Sequence, residues 1–94
     1  MVTYNISRYE VRVTKSTRKN IDKAPKLVRD KFTALMLDLE AQGPVQPMWP
    51  NYSKLSDGEY HCHLARKCVA CWRAQKTSVI VEVYYAGSRE DAPY

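Results

Sequence analysis

Alternating apolar and polar residues mark two stretches, residues 9–14 and 60–64, in the pattern of half-buried β-strands. Side chains along a strand point to opposite faces at each successive residue. In the second stretch Tyr60, Cys62 and Leu64 therefore share one face. His61 and His63 lie on the other. The sequence predicts two imidazoles that point together from one side of a strand.

Two more strands are predicted after this one. Residues 68–73 are mostly apolar, and residues 79–85 form the most β-branched run in the chain. The polar residues 75–78 between them indicate a turn. Because residues 79–85 are nearly apolar on both faces, we expect them to form a central strand of an antiparallel meander.

Helical signals appear twice in the first half of the chain. A short polar helix is predicted to begin at Ser16 or Thr17 and to end near Lys23. A longer helix is predicted from Pro25, a favoured first-turn residue, to the stop signal at Gly43. Its apolar residues recur at helical spacing and form a stripe that we expect to cover the sheet: Val28, Phe32, Leu35, Met36 and Leu39.

Two connecting segments follow the longer helix. Residues 44–51 contain three prolines and Trp49, and we expect an irregular crossing that lays the indole over an open end of the core. Residues 54–58 are predicted to turn the chain into the meander, with Asp57 and Gly58 as the turn signal.

The composition is that of one globular domain spanning residues 1–94, with 45% hydrophobic and 27% charged residues. A chain of this length can build a core of about one sheet covered by helices on a single face. The other face of the sheet is then left to contact water or to bind a ligand.

Charge and cysteine usage narrow the class of protein further. Fifteen lysines and arginines against ten acidic residues give a net charge of +5, which suits a polyanionic partner without requiring one. No apolar run approaches the roughly 18 residues of a membrane span, and the first residues lack a signal-peptide core. Three cysteines in a chain able to fold without disulfides favour reduced thiols. We therefore expect a cytoplasmic protein with no membrane partner.

The histidines and cysteines also suggest a zinc site as an alternative. His61, Cys62 and His63 are followed by Cys68 and Cys71, which makes five potential ligands. On strands, however, Cys62 points away from both histidines, and Cys68 and Cys71 point to opposite faces. We therefore expect neither a metal nor another cofactor.

The order of these elements and three short motifs resemble the RelE/ParE toxin superfamily over nearly the whole chain. The motifs are Lys54-Leu55 ahead of the second strand, the strand around Trp72, and residues 87–94, which look like the family's C-terminal Arg-Glu-x-x-Tyr. The resemblance implies a RelE-like α+β fold: a small, antiparallel-rich twisted sheet of about four strands, with two N-terminal helices packed on one face. It also implies a basic concave surface on the other face.

Metal-free cleavage of RNA needs a base for the 2′-OH proton, an acid for the departing 5′-oxygen, and cations around the phosphate. His61 and His63 titrate near neutrality and correspond in position to the basic pair of RelE-like nucleases, so either is a candidate for base or acid. The resemblance implies that Arg89 clamps the phosphate and that Tyr94 donates a proton or stacks on a base. Lys54 is a further candidate phosphate contact.

One position departs from the family's pattern. Many family nucleases carry an arginine near the start of the third strand of this series, where this chain has Val69. Arg66 and Lys67 in the preceding turn, and Arg73 further along the strand, are the candidate substitutes for RNA and phosphate binding.

Several functions remain open from the sequence. The first is a toxin of a type II toxin–antitoxin system, an endoribonuclease that cleaves mRNA on the ribosome and is neutralised by a cognate antitoxin. The second is a ParE-like toxin that inhibits DNA gyrase without nuclease chemistry, for which two imidazoles beside a tyrosine and an arginine are unnecessary. The others are a catalytically idle nucleic-acid or protein-binding module and the zinc domain. The oligomeric state stays open between a homodimer and a toxin–antitoxin hetero-oligomer.

Overall fold

The computed structural model describes residues 8–94, which form two helices and five strands. In chain order these are β1 (Glu10–Val13), α1 (Lys15–Asp22), α2 (Lys26–Gln42), β2 (Ser53–Ser56), β3 (Glu59–Ala65), β4 (Cys68–Arg73) and β5 (Ile80–Ser88). Neither helix of the described residues is long and apolar enough to cross a membrane.

The strands form one sheet in the order β1-β5-β4-β3-β2. β1 runs parallel to β5, and every other neighbouring pair is antiparallel. The predicted α+β class and the meander of β3, β4 and β5 are confirmed, and β5 is an interior strand as expected. The sheet has five strands rather than about four, because residues 53–56 form a strand where the sequence indicated only a turn.

The first helix begins earlier than predicted. Its N-cap is Thr14, whose side-chain oxygen accepts a hydrogen bond from the backbone N–H of Thr17. Neither Ser16 nor Thr17 is the cap, because both already lie inside α1 and Thr17 is buried. A threonine at the end of a strand serves both elements, since its extended backbone suits the strand and its hydroxyl satisfies the helix.

The second helix has the predicted ends and the predicted buried stripe. Pro25 precedes its first residue, and Gly43 ends it with a φ of 84°. A side chain at Gly43 would approach the ring of Tyr9 to 2.5 Å, so both the backbone conformation and the space require glycine there. The stripe residues Val28, Phe32, Leu35 and Leu39 are buried, and Met36 is half-buried against the same core.

The segment between α2 and β2 is irregular, as predicted, and hydrogen bonds hold it to the domain. The buried amide of Gln46 donates to the backbone carbonyls of Asp38 and Gly43. The indole of Trp49 packs against the core and donates to the Asp38 carboxylate at 2.8 Å. Trp72 of β4 donates to the Pro44 carbonyl at 2.9 Å, which ties the segment to the sheet.

The sheet buries the face that contacts α1 and α2. Cys62 of β3 lies in this core, as the alternation predicted, together with Leu64, Ala70, Trp72, Val81, Val83 and Ala86. A register shift between β4 and β5 pairs Cys71 with Tyr85 but Trp72 with Val83. This bulge leaves Tyr84 as an extra residue, so Tyr84 and Tyr85 both leave the core. We call the opposite side of the sheet, which carries these tyrosines, the open face.

Cys62→Ser is expected to lower the free energy of unfolding by about 1–3 kcal/mol, because it places a hydroxyl in an apolar core. Cys62 has no exposed surface, and burial raises the pKa of its thiol to about 12. Chemical denaturation measures the effect, with Cys68→Ser at a half-exposed position as the matched control. Equal losses at the two positions would contradict the burial argument.

Candidate active site on the open face

Two histidines and one tyrosine form a cluster on the open face. The ring centroids of His61 and His63 lie 5.9 Å apart, and the ring of Tyr94 meets that of His61 edge-on at 4.6 Å. Beside them on the neighbouring strand lie Val69 and Cys71, the β4 residues in register with His63 and His61, and neither has any exposed surface. The cluster is therefore flanked on the β4 side by two fully buried side chains.

Neighbours on the β2 side hold both imidazoles. The Ser53 hydroxyl lies 2.9 Å from Nδ1 of His61, and the Asn51 side-chain nitrogen lies 3.2 Å from Nδ1 of His63. An amide nitrogen only donates, so Nδ1 of His63 is the acceptor in this contact. Asn51 has a φ of 53°, a left-handed conformation that asparagine tolerates better than most residues.

The surroundings favour the uncharged forms of two of these groups. Burial lowers the pKa of His61 below its ordinary value and His63 lowers it further, while a hydrogen bond to Ser53 acts in the opposite direction. Burial raises the pKa of Tyr94, and Arg89 partly offsets that rise. At neutral pH the cluster therefore contains a neutral imidazole, which can accept a proton, beside a protonated phenol, which can donate one.

The C-terminal segment returns to the cluster through backbone contacts. The Tyr85 hydroxyl donates to the Ser88 carbonyl at 2.6 Å. The backbone N–H of Arg89 donates to the Lys67 carbonyl at 2.8 Å, which joins the segment to the turn between β3 and β4. Arg66 of that turn and His63 line the same cavity of about 270 Å³. The structure thus brings Arg66 and the backbone of Lys67 and Arg89 to the turn at the His63 end of the cluster.

Two predicted cation sites lie elsewhere. Lys54 is in register with Tyr60, whose ring packs into the helix-side core, and the Lys54 ammonium lies 3.5 Å from the carboxylate of Asp57. Arg73 lies on the open face but beyond Cys71, at the other end of the cluster. Its guanidinium is 4.0 Å from the ring centroid of Tyr84 and 3.3 Å from the carboxylate of Glu82.

The cysteines do not join the histidines in a metal site. Cys62 lies in the helix-side core, whereas both histidines lie on the open face. Burial also raises the pKa of Cys71 to about 11, which keeps that thiol protonated at neutral pH. Within residues 8–94, no three His, Cys, Asp or Glu side chains are grouped so that they would hold a metal ion.

Sequence reasoning missed the residues that orient the histidines. Ser53 lies on β2, which was not predicted, so its register with His61 was not visible. Asn51 lies in the irregular segment, where no periodic pattern indicates which way a side chain points. The signal that would have found Ser53 is the Asp57-Gly58 turn, because a tight turn before one strand favours a partner strand ahead of it.

Solved structures of microbial toxins have the same fold. A chain of the archaeal RelE–RelB complex from Pyrococcus horikoshii OT3 gives a TM-score of 0.72 at 15% identity, covering 90% of this chain and 99% of that one. A chain of the E. coli DinJ–YafQ toxin–antitoxin complex gives 0.73 at 13% identity, covering 93% and 99%. The isolated E. coli RelE toxin gives 0.68 at 15% identity, covering 90% and 88%. No family model and no curated protein matches the sequence.

The described chain therefore has the fold of the RelE/ParE toxin superfamily. The resemblance indicated by its motifs is confirmed at the level of the fold. At 13–15% identity the chemistry has to be argued from this chain's own residues.

The His61 imidazole is expected to titrate below its ordinary pKa of 6.5, because burial disfavours the charged ring. Between the lowered pKa and 6.5 the unfolded chain binds more protons than the folded one, so this group's contribution to stability falls as the pH drops through that range. NMR titration of the imidazole protons measures the midpoint, with the denaturant-unfolded protein as the control. A folded-state midpoint at or above 6.5 would contradict this description of the site.

Proposed function

We propose that this protein is the toxin of a type II toxin–antitoxin system and that it cleaves mRNA on the ribosome by attack of the 2′-OH, without a metal ion. The observation that carries the proposal is the cluster of His61, His63 and Tyr94 on the open face. Support also comes from the fold, which the chain shares with the RelE and YafQ toxins.

In the first step of the proposed reaction, His61 is the base. Its lowered pKa keeps the ring neutral, so it takes the proton from the 2′-OH of the RNA. The 2′-oxygen then forms a bond to phosphorus while the bond from phosphorus to the 5′-oxygen breaks. The products are a 2′,3′-cyclic phosphate and a 5′-hydroxyl end. The departing 5′-oxygen therefore needs a group that donates a proton to it.

Two groups can supply that proton. His63 carries a proton on Nε2 when Nδ1 accepts from Asn51, and Tyr94 is protonated because burial raises its pKa. Both rings lie within 6 Å of the His61 ring. In the proposed mechanism one of them protonates the 5′-oxygen and the other positions the substrate. Substituting each residue in turn distinguishes the two roles.

In the proposed mechanism, cationic side chains at the His63 end of the cluster bind the phosphate. Arg89 retains the role that the family resemblance implies, and the contact between its backbone and Lys67 places it beside the turn. Arg66 shares a cavity with His63, so it supplies charge that the buried Val69 does not. Charge-assisted hydrogen bonds to a phosphate are stronger than neutral ones, which makes these exposed side chains effective once the RNA is bound.

A cognate antitoxin is part of this proposal. Leu27 and Leu37 on α2, and Val45 and Met48 in the segment after it, expose 56–92% of their surface. Exposed apolar side chains of this kind are typical of surfaces that bind a partner protein. The RelE–RelB and DinJ–YafQ complexes show toxins of this fold bound to such partners.

Expression of the protein without its partner is expected to arrest growth and to stop translation, because cut mRNA cannot be read through. Northern analysis of a reporter mRNA measures the cleavage, with the uninduced culture as the control. Arrest with intact mRNA and damaged DNA would contradict the proposal and support gyrase inhibition.

His61→Ala, His63→Ala, Arg89→Ala and Tyr94→Phe are expected to preserve the fold and to slow cleavage, since all four side chains lie on the open face or in the C-terminal segment. Removal of a general acid or base typically costs about 10²–10⁴-fold in rate. Single-turnover cleavage on programmed ribosomes measures the rates, and thermal melts measure folding.

Arg29→Ala is the matched control for Arg89→Ala, because Arg29 is an exposed arginine on α2. It is expected to cleave at the rate of the unchanged protein. Unchanged rates in both histidine variants would refute the acid–base assignment.

A further inference from the structure

The turn that leads into β2 is attached to His63 at two points. The backbone N–H of Tyr52 donates to the Trp49 carbonyl at 3.2 Å and closes the turn. Within it, the Pro50 carbonyl accepts a hydrogen bond from the backbone N–H of His63 at 2.8 Å. The side-chain nitrogen of Asn51, the next residue, lies 3.2 Å from Nδ1 of the same histidine. The turn therefore holds both the backbone and the ring of His63.

Asn51 occupies a position at which glycine is the ordinary residue. A proline at the second place of a turn, followed by a positive φ at the third, is typical of a type II turn, which favours glycine at the third place. Asn51 has a φ of 53°, and it is the one non-glycine residue with a positive φ among residues 8–94. A left-handed backbone costs free energy in any residue with a Cβ. The asparagine side chain therefore supplies something that glycine cannot, and its contact is with the His63 ring.

Ser53 makes the equivalent contact with the other imidazole. Ser53 and His61 are paired across β2 and β3, and the Ser53 hydroxyl oxygen lies 2.9 Å from Nδ1 of His61. Burial lowers the pKa of His61, and a hydrogen bond to the Ser53 backbone partly opposes that effect. A hydrogen bond raises the pKa of an imidazole when the ring donates it, because the bond favours the protonated form. Nδ1 of His61 is therefore the donor, and Nε2 is free to take a proton.

Both rings turn Nδ1 toward β2, so both turn Nε2 the other way. In an imidazole Nε2 lies at the end of the ring far from the backbone, on the side opposite Nδ1. The Nε2 atoms therefore point out of the sheet and away from β2. Tyr94 lies on that side, since its pKa is raised by burial and then by the thiol of Cys71, the β4 residue in register with His61. A phosphate placed over β4 can thus meet both Nε2 atoms and the phenol.

We infer that Asn51 and Ser53 are positioning residues, which turn the two imidazoles so that Nε2 of each faces the scissile phosphate over β4. This inference rests on the proposed function. Ser53 leaves Nε2 of His61 free to take the proton of the 2′-OH, and Asn51 directs Nε2 of His63 at the phosphate. Neither side chain needs to touch the RNA, because each acts through the histidine that it holds.

Asn51→Gly separates this role from a purely structural one. Glycine adopts a positive φ without strain, which offsets the greater freedom it gives the unfolded chain, so the thermal midpoint is expected to stay close to that of the unchanged protein. Loss of the side chain leaves the His63 ring unheld. The single-turnover cleavage rate on programmed ribosomes is expected to fall about tenfold to a hundredfold, because small misplacements of a reacting group are costly. The ribosome concentration that gives half the maximal rate is expected to change little.

Ser53→Ala tests the contact with His61 by rate and by spectroscopy. The ¹⁵N chemical shifts of an imidazole report which ring nitrogen carries the proton. In the unchanged protein, above the pKa of His61, they are expected to show the proton on Nδ1. In Ser53→Ala they are expected to show a mixture of Nδ1–H and Nε2–H, and cleavage is expected to slow about tenfold. Ser53→Thr keeps the hydroxyl and suits a strand, so it is expected to restore both the signals and the rate.

Ser56→Ala is the matched control, because Ser56 lies on the same strand and its hydroxyl contacts Glu59 rather than a histidine. It is expected to cleave at the unchanged rate with unchanged imidazole signals. Full cleavage rates in both Asn51→Gly and Ser53→Ala would overturn the inference and leave the proposed function intact. A rate loss in Ser56→Ala as large as that in Ser53→Ala would also overturn it, since the loss would then come from the strand and not from the contact.

The imidazole signals separate this inference from the proposed function. Altered signals of His63 in Asn51→Gly and of His61 in Ser53→Ala, in a protein that cuts no RNA, would refute the proposed function while supporting the orientation of the rings. A rate that falls only in proportion to the loss of folded protein, with the imidazole signals of the folded fraction unchanged, would refute the positioning role.

Discussion

The alternation of side chains along β3 is the constraint on which the rest of the structure depends. Cys62 points into the core that α2 covers, so the residues on either side of it must point to the open face. The same packing that stabilises the sheet therefore fixes His61 and His63 side by side. A slip of one residue in register would bury both imidazoles and expose the core residues, so stability and chemistry depend on the same pairing.

The elements with a strong periodic pattern were predictable from the sequence. The buried stripe of α2, the β-branched run of β5 and the alternation in β3 each repeat the pattern of their own element. The burial pattern of β2 gave no signal, because only Leu55 of its four residues is even half-buried and no periodicity results; the turn at Asp57-Gly58 was the one indication of this strand. The bulge at Tyr84 was hidden as well, since it depends on how β4 and β5 pair rather than on either strand alone.

The candidate site was predictable to the extent that it lies on one strand. The two-residue repeat of a strand is enough to place His61 and His63 on the same face. The contact between His61 and Tyr94, in contrast, depends on the path of the C-terminal segment. The partners of the cations were not predictable either. Arg73 is close to the histidines in the sheet, yet its neighbours Tyr84 and Glu82 give it a different environment from that of a phosphate ligand.

The central claim is that the open face performs acid–base chemistry on the 2′-OH of RNA. It is tested most directly with programmed ribosomes that carry mRNA containing a single 2′-deoxynucleotide at a mapped cleavage site. The account predicts that cleavage at that site is lost, while the all-ribose mRNA is cut to give a 2′,3′-cyclic phosphate end. Cleavage of the 2′-deoxy mRNA at the same site and the same rate would contradict the account.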